Sequence, residues 1–309
     1  MFFRNLKMIN TSIILTIVTE GFMANQLSRV AAIHDLSGFG RCSLSVILPV
    51  LSTMGLQAVA VPTAVLSTHT GGFGDFVLRD LTDYIAPALE HYKALELEFD
   101  CIYTGFLSSV EQIDLCRDFV KAYPDALVVV DPVMGDHGKA YRTCTPELCR
   151  RMSELVHTAG VITPNLTEVY VLLGEEYNPA PISITEAKSL LVRLGALGPQ
   201  RVVITGVAMS GGGISNIGYE REHSTFWRVD CDYVPVSYPG TGDIFASVLT
   251  GGILGGDSLP IAMERATRFL ELAIKITYSY GTDTRWGVML EKSLGWLTQH
   301  QLMAGYRPL

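Results

Sequence analysis

The chain has 309 residues, 48% of them hydrophobic and 17% charged, with a formal net charge of -8. That balance fits a globular protein without the broad basic surface that nucleic acid needs, although backbone donors or a local basic group can still hold a small anion. A small molecule or another protein is the expected partner, and length alone allows one large domain or two ordinary ones.

Residues 1–28, MFFRNLKMINTSIILTIVTEGFMANQLS, put Arg4 and Lys7 before an apolar run from Met8 to Val18 that mimics a signal peptide. The run is too short to span a bilayer. No small-x-small cleavage site follows it, and Met23 opens MANQLSRVAAIHD. We expect Met23 to be the natural start, residues 1–28 to be an extension outside the fold, and residues 29–309 to form one domain.

From Arg29 onward, short apolar runs alternate with longer amphipathic stretches, which predicts an α/β fold with a mostly parallel sheet. The predicted strands are RVAAIH, AVAVPTAV, DCIYTG, ALVVVDPV, GVITPN and RVVITGVA. Between them, DFVLRDLTDYIAPALEHYKAL and SSVEQIDLCRDFVKAY carry apolar residues at helical spacing. After Ala208, SGGGISNIGYEREHSTFWRVDCDYVPV reads as a Gly-hinged loop and two antiparallel strands. Helices are then predicted over GDIFASVLTGGIL, SLPIAMERATRFLELAIKITYSY and VMLEKSLGWLTQH. The stretch from Cys42 to Gly74 holds no Asp, Glu, Lys or Arg. We read it as a buried helix followed by a buried central strand rather than a membrane span.

The six cysteines, Cys42, Cys101, Cys116, Cys144, Cys149 and Cys231, form no C-x-x-C pair. They read as reduced core thiols of a cytoplasmic protein, and their spacing does not suit structural zinc.

Polarity concentrates where the apolar runs end. Asp35, His69 with Thr70, Thr104, Asp131, Thr163 with Asn165, and Thr205 close the six strands in turn. Each could simply cap a turn. Together they suggest a cleft at the carboxyl edge of a parallel sheet, where ligands bind.

Three nucleotide-binding patterns can be tested. The phosphate loop G-x-x-x-x-G-K-[ST] is absent, since Ala140 follows Gly138-Lys139. SGFGRCS nearly makes a dinucleotide fingerprint, but Ser43 replaces its third glycine and no acid follows to bind ribose. An NAD-dependent oxidoreductase is therefore a distant alternative. The third pattern is GTGD at 240–243, at the start of an apolar helix. Unpaired backbone N–H groups and the positive end of the helix dipole make such a turn an anion site. Asp243 could be only a cap. Alternatively, it takes a proton from an attacking hydroxyl while the glycine turn holds the charge of a transferred phosphoryl group.

These motifs resemble the ribokinase superfamily, whose kinases carry G-x-G-D at a late helix start and N-x-x-E in mid-chain, here GTGD and NLTE at 165–168. DPVMGD at 131–136, TPNLTE at 163–168, STHTG at 67–71 and YTGFL at 103–107 resemble the vitamin B6 kinases within it. Hydroxymethylpyrimidine kinases share much of this pattern, and HDLSGFG is similar to their Asp-x-Ser-Gly. The resemblance covers roughly residues 29–300 and implies a ribokinase-like three-layer α/β/α fold.

It further implies a kinase that uses ATP and Mg2+ on the hydroxymethyl group of a small heterocycle, leaving open a monovalent cation. Asp243 would be the general base, and Gly240, Thr241 and Gly242 the anion hole for the γ-phosphate. Asp131, Asp136, Asn165 and Glu168 would lie near the triphosphate, with Asp131, Asp136 and Glu168 positioning the metal directly or through water. Thr205 and Thr241 would contact phosphate. Asp35, Ser37 or Thr70 would hydrogen-bond the ring, and Phe106 would pack on its face. The segment Gly211–Val236 would help cover ATP. A homodimer is implied, with no membrane or nucleic-acid partner, and a non-catalytic vitamer-binding protein is the remaining rival.

Overall fold

The computed structural model describes residues 27–309 apart from Tyr233. The expected N-terminal extension, apart from Leu27 and Ser28, lies outside the described residues. Six parallel strands form the middle of the sheet. They are β1 (Arg29–Phe39), β2 (Gln57–Thr68), β4 (Cys101–Thr104), β5 (Leu127–Val130), β8 (Val161–Ile162) and β9 (Arg201–Ala208). β3 (Leu78–Asp80) adds antiparallel to β2. At the other end β10 (Ile214–Glu220), β11 (Thr225–Cys231) and β12 (Tyr306–Pro308) extend the sheet antiparallel, giving the order β12-β11-β10-β9-β8-β5-β4-β1-β2-β3. A small hairpin, β6 (Gly135–Asp136) with β7 (Lys139–Ala140), stands apart from it.

The pleat of the parallel strands sorts their side chains into two cores. Ala31, Ile33, Ile102, Val128, Val130, Ile162, Val202 and Ile204 face one side. They pack under α2 (Thr82–Ala94), α3 (Glu111–Ala122), α4 (Pro146–Thr158), α5 (Leu166–Leu173) and α6 (Ile184–Ala196). Val30, Ala32, Tyr103, Val129, Val161 and Val203 face the other, under α1 (Leu44–Thr53), α7 (Thr241–Leu254) and α8 (Leu259–Tyr280). This is a three-layer α/β/α arrangement.

The chain steps from β1 outward to β2, then reverses and passes β1 to reach β4. Right-handed crossovers that run in opposite directions place their helices on opposite faces. Accordingly α1 lies on one face and α2 to α4 on the other. The carboxyl ends of β1 and β4 are thus left without a connection crossing them, and a crevice opens there.

Four expectations need correction. The uncharged stretch is a buried helix and a strand, but β2 is second from the sheet edge and only partly buried, so it is not central. Helix α2 begins at Thr82, not near Asp75, because β3 pairs with β2 first and the Asp80 carboxylate accepts from Thr82 N–H at 2.8 Å. The predicted last helix, 288–300, is instead two short 3₁₀ turns at Leu290–Lys292 and Leu294–Thr298. Gly287, at φ 75°, breaks the path, and Met289 N–H bonds to Thr277 Oγ1 of α8 at 2.7 Å instead of to its own turn. Finally, the cysteines are not all reduced core thiols. Cys144 and Cys149 are joined as a disulfide across the start of α4, and Cys42 and Cys231 are only half-buried.

The TGGILGG glycines do what close packing requires. A Cβ on Gly251 would come within 2.5 Å of Met54 Sδ, and one on Gly252 within 3.2 Å of Ala262 Cβ. Gly198 is a stricter case. It sits between α6 and β9 at φ 143°, and a Cβ there would lie 2.6 Å from the backbone oxygen of His157. Backbone cannot move aside as a side chain can. Gly198→Ala should therefore lower the unfolding free energy by about 1–3 kcal/mol, read as a fall in the urea midpoint at unchanged slope.

Candidate functional site

A cleft of about 850 Å³ runs along the carboxyl ends of the parallel strands, and every candidate site residue lines it. Of the strand-closing residues, Thr104 alone is absent from its walls. It is buried, with its hydroxyl unpaired.

The opening turn of α7 forms one side. Gly240 is the N-cap at φ 78°, and no side chain caps the helix. A Cβ on Gly240 would lie 2.1 Å from the backbone oxygen of Arg41, so only glycine lets this turn close against the loop after β1. Thr241 Oγ1 donates to Tyr238 O at 3.0 Å, which holds the turn from behind. The first N–H groups of the helix, from Thr241 onward, have no carbonyl one turn earlier to bond to, and the residues that carry them line the cleft. Asp243 is not a cap. Its Oδ2 accepts from Ser43 N–H at 2.9 Å and from Cys42 Sγ at 3.3 Å. Burial raises its pKa to about 6, against the lowering effect of those donors.

Opposite lies Asp131, which directly follows β5 and whose N–H bonds to Thr104 O at 2.9 Å. A Cβ on Gly242 would sit 3.9 Å from Asp131 Oδ2, so this carboxylate faces the helix turn closely. Burial, and then the charge of Asp243, push the Asp131 pKa up to about 8. Glu168 is raised as well, by burial and then by Asp131.

The N-x-x-E residues turn out to do structural work. Asn165 Oδ1 accepts from Glu168 N–H at 3.0 Å, and Glu168 Oε2 accepts from Asn165 N–H at 2.9 Å, a reciprocal capping box for α5. Glu168 Oε1 also takes Met134 N–H at 3.1 Å, and Asn165 Nδ2 donates to Gly135 O at 2.8 Å. The pair thereby fixes the 131–136 loop beside the cleft. The Asp136 carboxylate accepts from His137 N–H at 2.7 Å, and its charge adds to the rise of the Glu168 pKa. Among the described residues, no three His, Cys, Asp or Glu side chains gather closely enough to hold a metal by themselves. Any metal held by Asp131, Asp136 and Glu168 would therefore take part of its shell from water or a ligand. Thr205, at the end of β9, pairs across to Asn165 through a backbone bridge.

At the other end of the cleft a register irregularity between His34 and Leu36 turns Asp35 inward. Ser37 Oγ donates to Asp35 Oδ2 at 3.0 Å, and burial raises the Asp35 pKa. Thr70 and Phe106 complete this end. His69 holds the loop here: its Nδ1 accepts from Gly71 N–H at 3.1 Å, leaving Nε2 to donate to Arg285 O at 2.6 Å. His69 also packs under Gly40, where a Cβ would meet the ring at 2.3 Å. The SGFGRCS turn is therefore filled by a side chain and not open to a pyrophosphate.

Sequence reasoning missed Cys42, Ser43, Tyr141 and Arg285 in the cleft wall. The near-fingerprint SGFGRCS marked the first two as a turn without showing what they touch. Tyr141 had no local signal, because its position depends on the β6–β7 hairpin. The 211–236 segment does contribute walls, through Asn216, Cys231, Val234 and Val236. Its glycines form the tight turn between β9 and β10, with Gly212 N–H bonded to Met209 O at 2.8 Å.

Residues 48–286 match the family model described as phosphomethylpyrimidine kinase. The pyridoxine/pyridoxal/pyridoxamine kinase of Bordetella avium is 30% identical over 274 residues, covering 84% of this chain and 89% of that protein. A Bacteroides thetaiotaomicron protein, provisionally named a phosphomethylpyrimidine kinase and crystallised with pyridoxal, is 44% identical at a TM-score of 0.88, covering 92% of this chain and 100% of its own. Pyridoxal kinase from Lactobacillus plantarum is 32% identical at a TM-score of 0.81, with 88% and 97% covered.

A carboxyl whose pKa is higher folded than unfolded contributes stability at low pH, and loses it as pH rises through the folded value. For Asp131 that window runs from about 4 to about 8. Asp131→Asn should therefore raise the melting temperature of the ligand-free protein at pH 8, by about 2–4 °C for each kcal/mol relieved. The gain should vanish at pH 4, and scanning calorimetry at the two pH values reads both.

Proposed function

The chain belongs to the phosphomethylpyrimidine kinase family, and from that membership we propose that it transfers the γ-phosphoryl group of ATP to the 5'-hydroxymethyl group of pyridoxal, pyridoxine or pyridoxamine. The carrying observation is that buried Asp243 and the uncapped, glycine-lined start of α7 share one wall, with Asp131 facing them. The pyridoxal in the Bacteroides thetaiotaomicron structure supports the choice of substrate.

In this reading the vitamer ring lies between Asp35, Ser37, Thr70 and Phe106, with its hydroxymethyl group toward Asp243. Asp243 takes the hydroxyl proton as the alkoxide oxygen attacks the γ-phosphorus in line. The N–H groups of Gly240, Thr241 and Gly242 meet the charge that builds on the transferred oxygens, and ADP leaves. Thr205 and Asn165 border the phosphate chain. Asn216, Val234 and Val236 wall the nucleotide end. One turn of helix thus serves both base and anion hole, and no phospho-enzyme is needed.

Two buried acids with raised pKa values suit a hard cation, which would relieve their mutual repulsion. Without a protein-only cage, the donors fit Mg2+, which keeps waters and phosphate oxygens in its shell and needs only one or two carboxylates. Asp131 would hold it, with Glu168 and Asp136 acting through water. When bound, the ion screens the triphosphate charge.

We further propose a cytoplasmic homodimer built from one domain, 29–309. Among the described residues no helix is long and apolar enough to cross a membrane. Exposed Val65 and Val77 lie on the β2–β3 edge and would be covered by a second copy. Val77→Glu should then shift the protein to monomer in sedimentation, and a monomeric wild type would discard the dimer.

A second reading, phosphorylation of hydroxymethylpyrimidine, is favoured by the buried Asp35 and Ser37 of DLSG. Mg-ATP turnover measured in parallel on pyridoxal, pyridoxine, pyridoxamine and hydroxymethylpyrimidine separates the two, since exclusive use of the pyrimidine defeats the vitamin B6 assignment. Asp243→Asn should lower kcat by roughly 10²- to 10⁴-fold while leaving nucleotide binding nearly unchanged. Because the base must be ionised, kcat/KM in the wild type should fall about tenfold per pH unit below pH 6.

A further inference from the structure

Asp243 is held in an unusual way. Two donors, Ser43 N–H at 2.9 Å and Cys42 Sγ at 3.3 Å, converge on one of its oxygens, Oδ2. No hydrogen bond joins the other oxygen to a described residue. Both donors belong to the turn between β1 and α1, some two hundred positions away in sequence.

The turn is shaped for this contact at a cost. Ser43 has φ 53° and ψ -137°, a conformation that residues with a Cβ rarely adopt, and such strain persists only where the surroundings impose it. Ser43 is pinned on both sides. It bridges back to Leu36 of β1, and its carbonyl accepts from Val46 and Ile47 N–H at 3.0 Å. Cys42 is fixed by its own exchange with Ser45, whose hydroxyl donates to Cys42 O at 2.7 Å. A relaxed turn would aim neither donor at the cleft.

We propose that Cys42 and Ser43 form a clamp on Asp243 in which both donors occupy Oδ2 and reserve Oδ1 as the atom that accepts the substrate's hydroxyl proton. Cys42 is thus a positioning residue for the base, and this role rests on the kinase reading above. The proton passes from the hydroxymethyl oxygen to Oδ1 as the oxygen–phosphorus bond forms and the bond to ADP breaks. Electron density drawn toward Oδ2 by two donors leaves the carboxylate ionised more readily than its burial alone would allow. Burial and the adjacent acids Asp243 and Asp35 raise the Cys42 pKa, so the sulfur keeps its hydrogen and serves as a donor, not a nucleophile.

Of the other groups around Asp243, the start of its own helix α7 favours a negative charge, while the neighbouring acids oppose it. Asp35 on β1 and Asp131 after β5 carry like charge, and the Tyr103 hydroxyl on β4 lies 3.5 Å from the Asp243 backbone oxygen. The clamp supplies the hydrogen bonds that counter them.

Two measurements test the clamp. In Mg-ATP turnover on pyridoxal, Cys42→Ala should move the acidic limb of kcat upward by about half to one pH unit with KM little changed, and Cys42→Ser should restore it. Independently of any substrate, iodoacetamide labelling of Cys42, followed by peptide mass mapping, reads the thiol's proton affinity. Asp243→Asn removes the adjacent charge and should speed labelling at pH 8 by about tenfold. An unaltered acidic limb in Cys42→Ala, or an unaltered labelling rate in Asp243→Asn, overturns the clamp. Should the wild type turn over none of the vitamers while labelling still responds to Asp243→Asn, the clamp stands and the choice of substrate is what fails.

Discussion

The constraint on which this molecule depends is the crowding of buried carboxylates at one edge of a parallel sheet. Asp35, Asp131, Glu168 and Asp243 are all largely withdrawn from water, and all have raised pKa values whose first cause is burial. No lysine or arginine is paired with any of these four among the ion pairs of the described residues. Such an arrangement disfavours folding and would be eliminated from a purely structural core. It is tolerable where a polyanion and its counter-ions bind, because the missing positive charge then arrives with the ligand.

The rest of the architecture accommodates that constraint with backbone donors. The start of α7 is left uncapped so that its N–H groups stay available, and Gly240 lets it press against the loop after β1. Ser43 accepts a strained backbone to direct its N–H at Asp243. The capping box of α5 ties the 131–136 loop through Met134 and Gly135, so Asp131 is aimed by residues that need not touch a ligand. Rigid elements on both faces of the sheet thereby hold a site built almost wholly from loop and helix-end atoms.

Much of this was legible in the sequence for identifiable reasons. Continuous apolar runs such as ALVVVD suit parallel strands covered on both faces, and their alternation with amphipathic stretches announced the α/β class. Acids and hydroxyls that close those runs announced the cleft, because strand ends in such sheets share one edge. GTGD was readable as a site because a cap does not require flanking glycines. What misled were local patterns with two physical solutions. The 288–300 segment has helical spacing, yet Gly287 and the bond from Met289 to Thr277 turn it into 3₁₀ turns. The cysteine spacing 144–149 matches no common motif, yet the start of α4 brings the two sulfurs together. N-x-x-E reads in the sequence only as a site motif, and the fold shows that the same two residues also form a reciprocal cap.

By itself, then, the sequence determined the fold class, the edge of the sheet that carries the site, and the residue types gathered there, because periodicity and strand-end polarity are local properties. Tertiary structure alone decided which oxygen of Asp243 is free, that Cys42 and Ser43 hold the other, and that Asp131 faces Gly242. Those facts depend on how loops distant in sequence are brought within hydrogen-bond reach, and a hydrogen bond is made or lost over a fraction of an ångström. No periodicity in the chain records a distance of that kind.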